Sequence, residues 1–432
     1  YRIRIKRIND WNEKNYIMNF PTIEGCYQAK ERLSNVSINT PFQFLDRISN
    51  NFNAEIYTKR EDLQLVRSFK IRGAFNKIVA LSKDDLKRGI VCASGGNHAQ
   101  GFAFACNYLK IKGTVFMPLP TPKQKIDRVK MFGAEYIKII LRGDTYDDSQ
   151  SEAEKYQVKS NSVFIHPFDD VEVIHGQATI ALEILDQIDF DLDYMFIPVG
   201  GGGLVSGFLT VFKKLSPKTK IVGVEPSGAT SFITSLKNNR NTQLKTIDKF
   251  AEGVAIQKMG DICFNYCKDL IDKTISVDEG RICKEILDLY NKEGIVVEPA
   301  GAISLACLDQ FSDEIKGKKI GTIICGGNND ITRTPEIKER ALLYSNLKHY
   351  FIVRFPQRAG SLKQFVSEIL GPTDDITFFE YSKKSNRVVA PAVVGIELKS
   401  KKDLTPLVKR MKESGFYGEY LNEKPDLFQY II

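Results

Sequence analysis

Four consecutive glycines, Gly200–Gly203, stand between the apolar run Tyr194–Val199 and the helical pattern Leu204–Leu215. A buried strand that enters a helix through such a turn leaves bare backbone N–H groups at the helix N-terminus. Those groups and the helix dipole favour a bound anion such as a phosphate dianion. The competing reading is a flexible connection. The run is neither a G-x-G-x-x-G dinucleotide fingerprint nor a triphosphate-binding loop, because no Gly-Lys-Ser/Thr follows it.

The same strand-to-helix rhythm extends to both sides. Strands are predicted at Ala54–Lys59, Gly89–Ala93, Gly113–Met117, Glu135–Ile140, Val163–His166, Lys220–Glu225 and Gly321–Ile324. Helices are predicted at Thr22–Leu33, Ala99–Leu109, Thr121–Met131, Ser149–Lys159 and Gly176–Asp186. Alternation of this kind implies parallel sheets wrapped by helices, with ligands at the carboxyl ends of the strands. Three turns sit at such ends: the glycine run, Ser94-Gly95-Gly96-Asn97-His98, and Cys325-Gly326-Gly327-Asn328. They are expected to converge on one edge of a parallel sheet. The Ser94 turn can hold a carboxylate with its hydroxyl and backbone donors, or it can simply cap the helix that follows. His98 by residue type is a packed histidine, and Cys325 a buried structural thiol.

Within Ser68-Phe69-Lys70-Ile71-Arg72-Gly73, Lys70 is predicted in a turn before the amphipathic helix that starts at Ala74. Most of the 61 lysines and arginines must be solvated surface. Lys70 stands apart because of the turns around it, and a lysine with an anion cradle suggests an aldehyde cofactor that carries a phosphate.

A length of 432 residues implies two or three domains. No apolar run reaches the roughly eighteen residues of a membrane span. The net charge of +8 comes from basic residues interleaved with 53 acidic ones, which predicts a general surface and no nucleic-acid partner. Eight cysteines, with only Cys263 and Cys267 closely spaced, give no zinc pattern and fit a reducing, cytoplasmic setting. Residues 1–17 are basic without an apolar core and are read as an extension outside the fold. A catalytic region is expected over 18–345. From 346 to 432 the order strand (Tyr350–Phe355), helix (Ser361–Leu370), strand (Ile376–Tyr381), strand (Arg387–Leu398), helix (Leu404–Ser414), strand (Phe416–Leu421) predicts a ferredoxin-like α+β unit. Its lack of catalytic clusters assigns it to regulation or assembly.

Taken in order, Ser68-Phe69-Lys70-x-Arg72-Gly73, Ser94-Gly-Gly-Asn97-His98-Ala-Gln100-Gly101, Gly200–Gly203, Glu298-Pro299-Ala300-Gly301-Ala302 and Cys325-Gly-Gly-Asn328 resemble the motifs of the fold-type II pyridoxal-phosphate enzymes. Within these the chain is most similar to the biosynthetic threonine dehydratase (threonine ammonia-lyase) family. The resemblance runs from about residue 20 to the C-terminal end, where Arg354–Leu362 resembles the start of that family's ACT-like regulatory domain. There is room for one such domain, as in the short bacterial form.

The resemblance implies an α/β catalytic region of two parallel-sheet subdomains followed by an ACT-like domain. Pyridoxal 5'-phosphate would be held through its aldehyde by Lys70, with Phe69 near its ring and Asn97 on its ring hydroxyl. Gly200, Gly201, Gly202, Gly203 and Leu204 would bind its phosphate, and Cys325 would face its pyridine nitrogen. Ser94, Gly95, Gly96, Asn97 and His98 would receive the substrate carboxylate. A freed Lys70 amine would take the α-proton, and loss of the β-hydroxyl would lead from L-threonine to 2-oxobutanoate and ammonia, the first committed step of isoleucine synthesis.

The neutral thiol at 325 would disfavour protonation of the ring nitrogen and so favour elimination. No divalent metal is expected, because Ser231 stands where an acid would be needed beside Glu225. Isoleucine is the implied effector, with Gln357–Leu362 as its carboxylate loop, and a homodimer or homotetramer is the implied assembly. The alternatives are a catabolic serine/threonine dehydratase, a β-replacing enzyme of the cysteine synthase type, a serine racemase and a silent amino-acid sensor. Gly95 occupies the place of a hydroxyl that the racemases carry.

Overall fold

The computed structural model describes residues 20–381 and 389–424, so the expected extension at 1–17 lies outside the described residues. The chain divides into two compact units between Ile331 and Thr332. In the first, the strands in chain order are β1 (Phe42–Phe44), β2 (Glu55–Arg60), β3 (Ile90–Ala93), β4 (Gly113–Met117), β5 (Ile137–Leu141), β6 (Val163–Phe164), β7 (Tyr194–Pro198), β8 (Lys220–Pro226), β9 (Lys273–Val277) and β10 (Lys319–Ile324). They form a six-stranded sheet of order β1-β2-β10-β7-β8-β9 and a four-stranded sheet of order β5-β4-β3-β6. All pairs are parallel except β1 with β2. The middle strands β3, β4 and β7 are buried along their whole length, as continuous apolar runs covered on both faces must be.

Two sheets rather than one change how the ligand turns meet. The Ser94 turn leaves β3 in the small sheet, whereas the glycine run leaves β7 and Cys325 follows β10, neighbours in the large sheet. The turns therefore converge across two subdomains and not along one sheet edge.

Lys70 differs from expectation as well: it is the first residue of a helix, Lys70–Val79, and not part of a turn before Ala74. The preceding segment is pinned to the end of β10. Phe69 N–H donates to Cys325 O at 3.1 Å, Gly327 N–H donates to Arg67 O at 2.9 Å, and Arg72 N–H then closes the first turn on Phe69 O at 3.1 Å. A crossing helix, Asn97–Leu109, comes so close that a Cβ at Gly101 would lie 3.0 Å from the Lys70 carbonyl carbon. Neighbouring helices thus hold the Lys70 backbone from outside.

The second unit contains β11 (Lys348–Pro356), β12 (Asp375–Tyr381), β13 (Val389–Glu397) and β14 (Tyr417–Tyr420), preceded by a helix, Thr334–Tyr344. The antiparallel order is β12-β13-β11-β14, with the first strand between the third and fourth, the order of a ferredoxin-like sheet. Phe351, Val353, Phe355, Val394 and Ile396 pack against Phe365, Leu407 and Met411 from its two helical segments to form the core. The expected start of β13 at Arg387 lies outside the described residues.

Candidate active site

The Lys70 amine donates to Pro167 O, in the segment that follows β6, at 2.8 Å. Burial disfavours its charge and lowers its pKa to about 8, against the opposing pull of Cys325, Cys263 and Glu298. Phe69 is buried with its ring centroid 5.2 Å from the Lys70 amine.

Gly200–Gly203 and Leu204 form the turn between β7 and the helix Gly203–Leu215 and are buried throughout. Gly202 sits at φ +96°, a left-handed conformation that other residues adopt only with strain. Among the described residues, the N–H groups from Gly200 to Leu204 donate to no protein acceptor. Buried N–H groups normally find partners, so this cluster fits an anion.

The Ser94 turn holds a second, partly buried set of bare N–H groups. Ser94 Oγ accepts Gly96 N–H at 3.1 Å, while the N–H groups of Gly95, Asn97 and His98 have no protein acceptor among the described residues. The hydroxyl therefore shapes its own turn and retains its proton to donate. The His98 ring turns away, bonded through Nε2 to Ile165 O at 3.0 Å. Burial and then nearby Lys70 hold its pKa down at about 3, so it stays neutral.

Asn97 is fixed by two residues that sequence reasoning did not assign. Its Nδ2 donates to Glu298 Oε1 at 2.7 Å, and its Oδ1 accepts from Asn328 Nδ2 at 2.7 Å. Asn328 also donates to Val66 O at 2.9 Å and receives Arg128. Burial raises the Glu298 carboxyl to about 7, opposed by the Asn97 donation. Both residues lay inside quoted motifs, but their partners are 201 and 231 positions away. A signal for Glu298 was its place as the residue before Pro299, which opens a helix. Pro167 carried no such mark, since it acts through its backbone.

Cys325 is buried, donates to Ala300 O at 3.2 Å, and is raised well above the ordinary thiol range by burial, so its sulfur is neutral. Glu225 accepts Phe232 N–H and Ile233 N–H, each at 2.8 Å, so its oxygens serve a helix start. Ser68, paired with Gly326 by a backbone bridge, has its Oγ buried without a partner among the described residues.

The residues present fit a phosphate-bearing aldehyde. An amine with a lowered pKa is tied through Pro167 and Phe168 to a buried N–H cluster suited to a dianion, and the partly buried N–H groups of the Ser94 turn suit a carboxylate.

The model of the pyridoxal-phosphate-dependent enzyme family matches residues 33–326, and that of the C-terminal regulatory domain of threonine dehydratase matches 339–431. The biosynthetic L-threonine dehydratase IlvA of Halalkalibacterium halodurans is 49% identical over 95% of this chain and 99% of its own. The structure of processed threonine deaminase isoform 2 from Solanum lycopersicum is 38% identical, with a TM-score of 0.70 over 75% of this chain and 91% of that one. Serine racemase from Dictyostelium discoideum is 32% identical, with a TM-score of 0.66 over 72% of this chain and 99% of its own. Similarity of that extent, over both units and nearly the whole length, means that the chain belongs to the threonine dehydratase branch of the pyridoxal-phosphate-dependent enzyme family.

Proposed function

We propose that the chain deaminates L-threonine to 2-oxobutanoate and ammonia with pyridoxal 5'-phosphate, in the cytoplasm, as the committed step toward isoleucine. The observation that carries this reading is the Lys70 amine, lowered to about 8, together with the buried unpaired N–H groups of Gly200–Leu204 and the partly buried unpaired ones of the Ser94 turn. When bound, the cofactor supplies an electron sink next to the substrate α-carbon.

The residues of the chain do the rest. Lys70 anchors the aldehyde and, once released, carries the α-proton on Nζ. Its lowered pKa leaves a useful fraction of free base near neutrality. The turn from Gly200 to Leu204 takes the phosphate. Ser94 and the backbone of 95–98 orient the substrate through its carboxylate. Asn97, held by Glu298 and Asn328, takes the ring hydroxyl, and the apolar Phe69 borders the ring. Cys325 presents a neutral thiol at the place assigned to the pyridine nitrogen, where a carboxylate would favour protonation. The β-hydroxyl departs as water, which returns when the nitrogen leaves as ammonia, so the overall change needs no oxidant.

The second unit is proposed to bind isoleucine, with the loop 357–362 toward the effector carboxylate and the apolar sheet toward its side chain. A homodimer or homotetramer is the proposed assembly. The test is product analysis on purified enzyme with added cofactor. L-threonine should yield 2-oxobutanoate and ammonia in equal amounts. Formation of D-serine from L-serine with little oxo acid would reject the dehydratase in favour of a racemase.

A further inference from the structure

Five consecutive residues, His166–Asp170, follow β6 and bond or pack against the Lys70 helix, the glycine turn and the helix behind that turn. Pro167 O receives the Lys70 amine at 2.8 Å. Asp169 accepts Asp261 N–H at 2.9 Å and Cys263 N–H at 3.1 Å, starting the helix Asp261–Cys267 that backs the glycine turn. Asp170 accepts Glu172 N–H at 2.9 Å and pairs with Lys77 of the Lys70 helix at 2.7 Å. His166 Nδ1 accepts Asp169 N–H at 2.8 Å, which folds the strap on itself, and its ring meets that of Phe168 edge-on at 4.6 Å.

Phe168 touches the glycine turn at two points. A Cβ at Gly201 would lie 2.2 Å from the Phe168 ring, and one at Gly203 would lie 2.9 Å from the Phe168 carbonyl oxygen. A run of glycines cannot brace itself, because nothing restricts its backbone from within. Its shape must come from what packs on it. Phe168 is half-buried, with its ring packed on the turn and on His166.

We propose that Phe168 is a positioning residue for the phosphate group. Its ring and carbonyl fix the N–H groups of Gly200–Leu204 in their anion-binding arrangement, while the adjoining Pro167 carbonyl sets the Lys70 amine at a matched distance. One strap thereby sets the spacing between the covalent anchor and the ionic anchor of the cofactor. The inference rests on the reading that the chain binds pyridoxal 5'-phosphate, and it adds the residue that makes the phosphate half of that site selective.

The test titrates cofactor-stripped wild type, Phe168→Ala and Phe168→Leu with pyridoxal 5'-phosphate and, separately, with pyridoxal, which lacks the phosphate. Uptake is read by visible absorbance, and fold by far-UV circular dichroism. In Phe168→Ala the dissociation constant for the phosphate ester should rise about tenfold or more, with that for pyridoxal changed by less than about threefold. Phe168→Leu should fall between. Gly201→Ala should reproduce the selective loss, and the double variant with Phe168→Ala should be no weaker than the poorer single one, because removing the ring opens the space that the methyl added at 201 would otherwise clash with. Equal weakening of both ligands, or an unchanged constant for the phosphate ester, would overturn the proposal. Wild type that takes up neither ligand would instead overturn the cofactor reading beneath it.

Discussion

The Lys70 amine lies against one neutral carbonyl, and burial disfavours its charge, which lowers its pKa from 10.5 to about 8. Only the neutral amine attacks an aldehyde. At pH 7 a pKa of 8 leaves roughly a tenth of the amine neutral, against roughly one part in three thousand at 10.5. Cofactor uptake by stripped enzyme should therefore speed up as pH rises and level off above about 8. A stopped-flow rate that still climbs beyond pH 10 would contradict this.

Glu298 gives a second residue-scale prediction. Its folded pKa of about 7 lies above the ordinary 4.5, so its protonated form is the one the fold prefers. Its contribution is complete below pH 4.5 and is lost as pH rises toward 7. Glu298→Gln keeps an acceptor for Asn97 and removes the charge, so above pH 7 it should be more stable than wild type in urea unfolding, by on the order of 3 kcal/mol. The difference should vanish near pH 4. Lys70, Asn97 and Cys325 entered as candidate site residues through the resemblance carried by their motifs. The Lys70–Pro167 contact and the Glu298 carboxyl were not legible in the sequence, because each depends on a partner brought in from a distant segment.

At the scale of elements, the Lys70 helix is locked by a buried group of four charges. Arg72 pairs with Glu61 at 2.8 Å and with Glu183 at 2.6 Å, and Lys59 pairs with Glu183 at 2.7 Å. These side chains come from β2, the short turn after it, the Lys70 helix and the helix Val171–Gln187. Burial alone would raise the Glu61 pKa, but Arg72 and Lys59 hold it below the usual carboxylate value. Removal of one member leaves an unpaired buried charge, so Arg72→Met should destabilise the first unit by about 3–5 kcal/mol in urea unfolding. A loss within about 0.5 kcal/mol would show that the group carries no stability. Periodicity identified the strands well because buried parallel strands are short apolar runs, as β4 and β7 are. It placed the start of the Lys70 helix four residues late, because that start is decided by the pairing of Arg67–Phe69 with Cys325–Gly327. It also merged two sheets into one edge, since strand alternation carries no record of which sheet receives each strand.

For the whole molecule, the two units divide at Ile331/Thr332, with the helix Thr334–Tyr344 belonging to the second. A chain ending near residue 331 should fold and still deaminate threonine while ignoring isoleucine. In the full chain isoleucine should shift threonine saturation to higher concentration, and threonine should weaken isoleucine binding by the same factor. Calorimetry that detects no isoleucine binding to the full chain would leave the second unit without this role. Its ferredoxin-like order was readable from the succession strand, helix, strand, strand, helix, strand along the chain. The central claim is that Lys70 carries both the cofactor and the proton. The measurement that tests it most directly follows ammonia release from L-threonine and visible absorbance together in wild type and Lys70→Ala, both saturated with pyridoxal 5'-phosphate. Wild type should show the absorbance band and steady release, and the variant neither, with its circular dichroism unchanged. Release by Lys70→Ala above a trace would contradict the account.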